Sequence, residues 1–132
     1  MPFESEDRRF PRLVRDEPRV AVAAQIDTPK GPLDVVATHL SFLRPWNVRQ
    51  LRRLMPAIRS RARPLVLMGD LNLPPRPVAR LTRLTPLASG RTFPAHAPMV
   101  QIDHVLADGV SSVAGRVVRL PVSDHRALVA EL

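Results

Sequence analysis

The chain has 132 residues, 45% of them hydrophobic, with a mean hydropathy of −0.06, and these values are typical of one globular domain. Its net charge is +8 and it contains no cysteine, so disulfides and thiolate metal sites are excluded. No apolar run approaches the roughly 18 residues that a membrane span needs, and the charged start lacks the apolar core of a secretory signal. We therefore expect one hydrophobic core, no membrane segment and a cytoplasmic location.

The positive charge has two interpretations. Lys30 is the single lysine among the twenty basic residues, so arginine supplies nearly all of the charge. A cationic surface attracts phosphate-bearing substrates, including nucleic acid. GC-rich coding sequences also replace lysine by arginine without any functional meaning. The arginines are scattered rather than gathered in one stripe, which favours the second interpretation.

The amino-terminal third of the sequence predicts a hairpin. Residues 1–18 are expected to be an irregular remnant of a preceding segment, with the domain proper in residues 19–132. Residues 19–26 form an apolar run typical of a buried strand, and residues 27–32 have strong turn chemistry. A second strand, residues 33–38, alternates in polarity and ends just before His39.

A helix and a third strand come next. Between Trp46 and about Arg61, apolar residues recur at helical spacing and most arginines fall elsewhere, which predicts an amphipathic helix. Pro56 removes one backbone donor inside it, so we expect a kink or a break there. Residues 64–69 are a short apolar strand that ends in glycine. Strand, helix and strand together predict a βαβ unit.

The remaining sequence predicts further strands. Residues 73–77 should be an irregular loop, and a short helix is expected from Pro77 through Leu84. Residues 85–98 are predicted to be surface loop, with His96 on the surface. Residues 101–107, 113–120 and 127–132 are strand candidates. We therefore expect an α/β fold with a mixed sheet of about six strands and one or two helices.

Asp70 and Asn72 directly follow the third strand. If the chain stays extended, both side chains point the same way, toward the cleft in which a buried strand commonly ends. A carboxylate there can hold a cation or take a proton from water, and an amide can donate to a phosphate oxygen. The alternative is structural, because an Asx turn closing the strand explains both residues equally well.

Asp103 and His104 lie in a predicted strand, where alternation places them on opposite faces. A carboxylate within a strand is costly to bury unless it is paired, so Asp103 should have a cationic or hydrogen-bonding partner. A packing role is favoured for His104. Asp124 and His125 precede the last strand and can reach one site if they lie in a loop, although a strand-edge cap explains them as well.

His39 ends its strand much as Asp70 ends another. In layered sheets, functional sites are commonly built at strand ends on one side. A lone histidine is more often structural, so none of these residues is decisive alone.

Taken together, four motifs occur in the order and rough spacing of one family. They are Thr38-His39-Leu40, Gly69-Asp70-Leu71-Asn72, Ile102-Asp103-His104 and Ser123-Asp124-His125. The chain resembles the endonuclease/exonuclease/phosphatase superfamily, which includes deoxyribonuclease I and the exonuclease III-type nucleases. The resemblance covers roughly residues 19–132 and implies the carboxyl-terminal half of a four-layer α/β/β/α sandwich.

The resemblance also implies a reaction, in which magnesium assists the attack of water on a phosphate ester. By similarity, His125 and Asp103 would form an imidazole–carboxylate pair, with Asp103 orienting the ring. His125 would act as a base or as a donor to phosphate. Manganese could replace magnesium.

The other roles follow from the same similarity. Asp70 would activate or orient the water, and Asn72 would bind phosphate. His39 would contact phosphate or protonate the leaving oxygen, and Asp124 would help to hold the metal. The substrate would be a phosphodiester or phosphomonoester, with nucleic acid among the candidates.

The chain departs from the family in one important respect. Family members are about twice as long, and their amino-terminal half supplies a glutamate that is the main metal ligand. No acidic residue before residue 30 follows a buried strand in the required manner. We therefore expect a truncated member, whose partners include a missing amino-terminal half. A catalytically inactive fragment, or a module that binds phosphate or nucleic acid, is the alternative.

Overall fold

The computed structural model describes the backbone of residues 6–9 and the whole of residues 19–132. The two helices are α1 (Trp46–Arg59) and α2 (Pro75–Thr82). The strands are β1 (Glu6–Arg9), β2 (Val20–Thr28), β3 (Gly31–Thr38), β4 (Leu65–Asp70), β5 (Thr85–Ala88), β6 (Asp103–Asp108), β7 (Ala114–Arg119) and β8 (Arg126–Glu131). The α/β fold predicted from the sequence is confirmed.

Six of the strands form one mixed sheet in the order β1-β2-β3-β4-β6-β5. Strands β3 and β4 are parallel and are joined through α1, as the predicted βαβ unit requires, while the other neighbouring pairs are antiparallel. Strands β2 and β3 form the predicted hairpin. Strands β7 and β8 pair separately as a two-stranded antiparallel sheet.

The main core lies between the six-stranded sheet and the two helices. The apolar stripe of α1, including Leu51, Leu54 and Ile58, is buried against sheet residues such as Val36 and Leu67. Since side chains alternate across a strand, the neighbours of these sheet residues point to the opposite face. That alternation divides the apolar residues between two cores.

The second face of the sheet is covered only in part. A smaller core there joins Val35 and Val66 to Leu87 of β5 and Ala130 of β8. Farther along the same sheet, large apolar side chains remain exposed, at Val20, Val22, Ile26 and Met68. An apolar strip of the sheet face is therefore accessible to solvent beside the two-stranded sheet.

Helix α1 runs through Pro56 without the break that the sequence suggests. A proline deprives the carbonyl four residues earlier of its helical partner. Here that carbonyl belongs to Arg52, and both Arg52 and Pro56 are exposed, so water can replace the lost hydrogen bond. With fourteen residues, α1 is the longest helix in the described part of the chain, and no described helix is long and apolar enough to cross a membrane.

Two regions expected to be irregular contain strands. Residues 6–9 pair with residues 20–23 as β1, although the rest of the predicted remnant lies outside the described residues. The predicted loop 85–98 begins with β5, in which Leu87 and Ala88 are buried. Strand β5 contains Pro86, which is tolerated because β5 is an edge strand with an irregular register at this residue.

Gly69 lets β3 and β4 approach each other closely near the site. Its φ of 137° lies in a region that side chains disfavour, and a Cβ built there would collide with the carbonyl oxygen of Thr38. Only glycine fits this position. The ends of β3 and β4, and the residues that follow them, are consequently held side by side.

Candidate active site

Four polar side chains meet at one edge of the sheet because of the strand directions. The parallel strands β3 and β4 both end at this edge, which places His39 and Asp70 together. Strand β6 runs antiparallel to β4 and begins at the same edge, so Asp103 is the direct partner of Asp70. His125 immediately precedes β8, which packs beside β6. The chain thus brings residues from four separate segments into one place.

Asp103 and His125 form a hydrogen-bonded pair. Nδ1 of His125 lies 2.8 Å from Oδ2 of Asp103, and because a carboxylate only accepts, Nδ1 carries the donated hydrogen. Nε2 then faces Asp70, with 3.8 Å between Nε2 and Oδ2. The ring of His125 also contacts Phe93, whose ring centroid is 4.8 Å away with an angle of 50° between the ring planes. The partner expected for Asp103 is therefore His125.

The pKa of His125 is raised above its ordinary value. Partial burial is the largest single effect and favours the neutral ring, but the hydrogen bond to Asp103 and the nearby negative charges together outweigh it. These charges are those of Asp103, Asp70 and Asp124. The imidazolium form is therefore stabilised at the site.

Asp70 is partly buried and has an unusual electrostatic environment. Burial raises the pKa of its carboxyl, and the facing carboxylate of Asp103 raises it further. The backbone N–H of Asn72 and the two nearby histidines act in the opposite direction without cancelling the shift. Nε2 of His39 is 3.3 Å from Oδ2 of Asp70, and the His39 side chain is 61% exposed. Asp70 is thus in contact with an imidazole that solvent can reach.

Asn72 lines the cavity into which this cluster of side chains opens. Its backbone is not extended, contrary to what simple strand geometry predicts. Its φ is 51°, and its N–H donates to Oδ1 of Asp70 over 2.9 Å. This is the Asx turn that the sequence offered as the structural alternative. The side-chain amide donates to the carbonyl of Leu40 at 2.8 Å. Asn72 therefore ties the loop after β3 to the loop after β4.

Asn47 supports this connection and was not singled out from the sequence. It is fully buried, and its side-chain amide donates to the carbonyl of Asn72 at 3.1 Å. A backbone hydrogen bond of 2.9 Å from Leu40 to the carbonyl of Asp70 completes the link. The signal available in the sequence was an amide on the apolar side of α1, where Asn47 precedes Leu51 by one turn.

His104 lies apart from the other site residues, as strand alternation predicts. It is buried, and its Nε2 lies 2.7 Å from the carbonyl oxygen of Leu73. Burial is the main reason that its pKa is lowered, which favours the neutral ring. The packing interpretation of His104 is confirmed.

Asp124 lies in the loop before β8, where it lines the same cavity and is exposed to solvent. Its carbonyl accepts from the N–H of Ala95 at 2.7 Å, and the N–H of His125 donates to Oγ of Ser123 at 3.1 Å. The segment is therefore a hydrogen-bonded turn, which lets both Asp124 and His125 line the cavity.

One group of described residues has the geometry to hold a cation. The ligand atoms of Asp70, Asp103 and His125 all lie within 4.8 Å of one another. Carboxylate oxygens suit both magnesium and manganese, so the two aspartates of this group fit either ion. The carboxylate of Asp124 is not one of these three, and its role as a metal ligand stays a prediction.

The cluster opens into a cavity of about 770 Å³. All six site residues predicted from the sequence line it. Four further residues, which sequence reasoning did not identify, share its walls: Arg19, Phe42, Phe93 and Ile102. Predicted strands and loops do not show which side chains line the same cavity, so nothing in the sequence indicated these four residues.

The family comparison agrees with the resemblance that the four sequence motifs suggested. The chain belongs to the Endonuclease/Exonuclease/phosphatase family, whose model matches residues 2–125. Comparison with curated protein sequences finds no significant match.

Several solved structures share the fold at low sequence identity. A humanised Danio rerio TDP2 with 14 mutations is 20% identical, with a TM-score of 0.74, and the match covers 94% of this chain and 64% of that one. D. rerio TDP2 complexed with a single-strand DNA product is 18% identical, with a TM-score of 0.72 and coverages of 94% and 65%. A Bacteroides thetaiotaomicron mannosyl-6-phosphatase is 14% identical, with a TM-score of 0.62 and coverages of 96% and 66%. The chain thus spans just under two thirds of the length of these proteins.

Proposed function

We propose that this chain carries a metal-dependent phosphoesterase site, which hydrolyses a phosphodiester or phosphomonoester with an activated water. The observation that carries the proposal is the convergence of Asp70, Asp103 and His125, with the Asp103–His125 hydrogen bond at 2.8 Å. Membership of the Endonuclease/Exonuclease/phosphatase family supports it. A carboxylate pair beside an oriented imidazole can bind a cation, activate water and interact with phosphate.

The environments of His125 and Asp70 suggest separate roles. Because Asp103 and its neighbours favour the imidazolium form of His125, Nε2 is suited to donate a hydrogen bond to a phosphate oxygen. The carboxylate of Asp70 lines the cavity beside His39 and His125, which suits it to accepting a hydrogen bond from water and orienting it. Asp103 would be a positioning residue, since it acts on His125 rather than on the substrate.

The remaining predicted residues would complete the substrate site. His39 is exposed at the cavity and could donate to phosphate or to the leaving oxygen. One N–H of the Asn72 side chain is engaged with Leu40, so the other N–H would be its phosphate donor.

A divalent ion would be held by Asp70, by the Asp103 oxygen that does not contact His125, and by Asp124 as a further ligand. When bound, magnesium or manganese would polarise the phosphate and lower the pKa of water. All three carboxylates line the same cavity. The role of each as a ligand can therefore be tested by substitution.

A second candidate function is phosphate binding without turnover by this chain alone. It is favoured by the apolar strip at Val20, Val22, Ile26 and Met68 and by the 64% coverage of the humanised TDP2 structure. We propose that a further segment of a family domain would cover this strip and contribute the glutamate ligand that the resemblance implies. A cytoplasmic location likewise stays a prediction.

The decisive test is hydrolysis of bis-p-nitrophenyl phosphate and p-nitrophenyl phosphate by the full chain, with magnesium, with manganese and with a chelator. We expect release of p-nitrophenol that depends on the ion. His125→Ala should abolish it, whereas His96→Ala, at an exposed histidine that does not line the cavity, should not. Full activity of His125→Ala would refute the proposed site. Binding of phosphate without ion-dependent release would leave the second candidate.

A further inference from the structure

A second cavity lies along one side of helix α1. It has a volume of about 230 Å³ and is lined by Trp46, Arg49, Gln50 and Arg53. The last three residues follow Trp46 by three, four and seven positions, so all four side chains share one face of the helix. None of them lines the candidate active-site cavity. The two cavities are therefore separate.

Two buried donors at this second cavity have no hydrogen-bond partner. Nε1 of Trp46 and Nε2 of Gln50 are both shielded from water, and neither finds an acceptor in the described part of the chain. The Gln50 residue is only 2% exposed. Buried side-chain donors are normally paired, because leaving such a hydrogen bond unmade is costly. Two unpaired donors at one cavity indicate an acceptor that the chain does not supply.

The orientation of the Gln50 amide is fixed by a contact on its other side. Its Oε1 accepts from the N–H of Ser41 at 2.8 Å, and Ser41 is fully buried. Since a backbone N–H can only donate, the amide oxygen must face Ser41, and the NH₂ group is the one left without a partner. Gln50 therefore offers a donor rather than an acceptor to a ligand.

Arg49 and Arg53 add two positive charges to the same face. Both residues are exposed, and neither side chain forms an ion pair or a hydrogen bond with the described residues. Helix α1 contains no acidic residue that could neutralise them. Every polar side chain that lines the cavity is thus a donor. Because the exposed arginine side chains can move apart, a ligand between them can reach the shielded N–H groups.

We propose that these four residues form an anion site that binds a small phosphate, either as the free ion or as the end of a phosphate monoester. Phosphate oxygens accept hydrogen bonds from neutral N–H groups and pair with guanidinium groups in a bidentate manner. The cavity is smaller than the roughly 300–1,000 Å³ of sites for drug-sized ligands, which suits a small ion. The inference depends on these four side chains and not on the catalytic function proposed for the other cavity.

The test uses the indole N–H of Trp46, which gives a single cross-peak in a proton–nitrogen correlation NMR spectrum because the chain has one tryptophan. The full chain is titrated with inorganic phosphate and, in a second arm, with methyl phosphate. Sodium chloride holds the ionic strength constant in both arms. We expect a saturable downfield shift of the indole proton as its hydrogen bond to phosphate forms. The arm with the lower Kd distinguishes the free ion from the end of a monoester.

Arg49→Ala and Arg53→Ala should each raise the Kd by about tenfold, the effect of losing one hydrogen bond to a charged group. Arg52→Ala removes an equal charge from an exposed residue of the same helix outside the cavity, and should leave the Kd unchanged. Gln50→Glu keeps the acceptor for Ser41 but replaces the donor with a negative oxygen, so it should abolish the shift. The arginine variants test the site even if Gln50→Glu does not fold.

The absence of a saturable shift with either phosphate would overturn the inference. An equal rise in Kd for Arg52→Ala would show diffuse attraction to the helix and would overturn it as well, as would acetate that binds as tightly as phosphate. His125→Ala should retain the shift, and its loss there would assign the response to the candidate active site instead. Because the titration requires no hydrolysis, this inference and the proposed function can fail separately.

Discussion

Asp70 and Asp103 are direct cross-strand partners at the site end of the β4–β6 pairing. Side chains of such partners lie on the same face of the sheet and close together, so two carboxylates repel each other unless a positive group is near. The imidazole of His125 approaches both, with Nδ1 2.8 Å from Asp103 and Nε2 3.8 Å from Asp70. A protonated His125 therefore reduces the repulsion between the partners.

The first prediction concerns the pKa of His125. Asp103→Asn should lower it, because the carboxylate that accepts from Nδ1 and stabilises the imidazolium is removed, while burial still favours the neutral ring. An NMR titration of the His125 ring protons measures the change. Asp108→Asn, at an exposed position on the same strand, is the matched control and should leave the titration unchanged. A His125 pKa unaffected by Asp103→Asn would contradict the proposed origin of the shift.

The second prediction is a pH dependence of stability that arises from His104. The pKa of His104 is lower in the folded chain than in the unfolded chain. The neutral ring therefore makes its full contribution to stability above about pH 6.5, and this contribution is lost as the pH falls toward the pKa of His104 in the folded chain. One such group can change the free energy of unfolding by at most about 1.4 kcal/mol per pH unit. His104→Gln retains a donor for Leu73 but does not titrate. Urea unfolding at pH 7.5 and 5.5 should therefore show a smaller loss of stability for the variant, and an identical loss in both proteins would refute the assignment.

The third prediction separates the two structural contributions of Asn72. Asn72→Gly removes the hydrogen bond to Leu40 but tolerates the positive φ, whereas Asn72→Ala removes the bond and strains the backbone. Both variants should unfold at lower urea concentration than the unaltered chain. The alanine variant should be the less stable by about 1 kcal/mol, the approximate cost of a left-handed residue with a Cβ. If alanine proved as stable as glycine, the backbone would not require this conformation.

The fourth prediction compares two arginine–aspartate pairs. Nε of Arg61 lies 3.0 Å from Oδ2 of Asp34, which is buried, while Arg63 and Asp108 form a more exposed pair at 2.8 Å. Arg61→Ala would leave a buried carboxylate without this cation and should lower the free energy of unfolding by about 2 kcal/mol. Asp108→Ala, which removes the exposed acidic partner of Arg63, should cost less than about 1 kcal/mol. Equal losses in urea unfolding would mean that the burial of Asp34 has no energetic consequence.

Much of the architecture was predictable because it depends on local periodicity. The hairpin of β2 and β3, the amphipathic helix α1 and the strand before Asp70 follow from alternation and helical spacing in short windows. Strand β5 lies where surface loop was predicted, and its Pro86 is acceptable in a strand only because β5 is at the sheet edge. Edge positions are a property of the whole sheet and cannot be recognised in a window of sequence.

The site was predictable to a different degree. His39, Asp70, Asp103 and His125 could be proposed because polar residues at strand ends are conspicuous and because their order matches one family. Asn47 and the aromatic residues of the cavity could not be proposed, since their contacts join segments far apart in the chain. The contact between Asn47 and Asn72 spans 25 positions, and nothing local to either residue indicates the other.

The close approach at Gly69 has a consequence for how variants of this protein can be interpreted. A library that randomises position 69 should retain glycine almost alone, because the Thr38 carbonyl leaves no room for another residue. Selection at this position would act even in a chain whose His39 or Asp70 had been replaced, since it concerns backbone distance and not chemistry. Among diverged sequences, a glycine here would mark chains that preserve the spacing of the two strand ends, whatever reaction they perform.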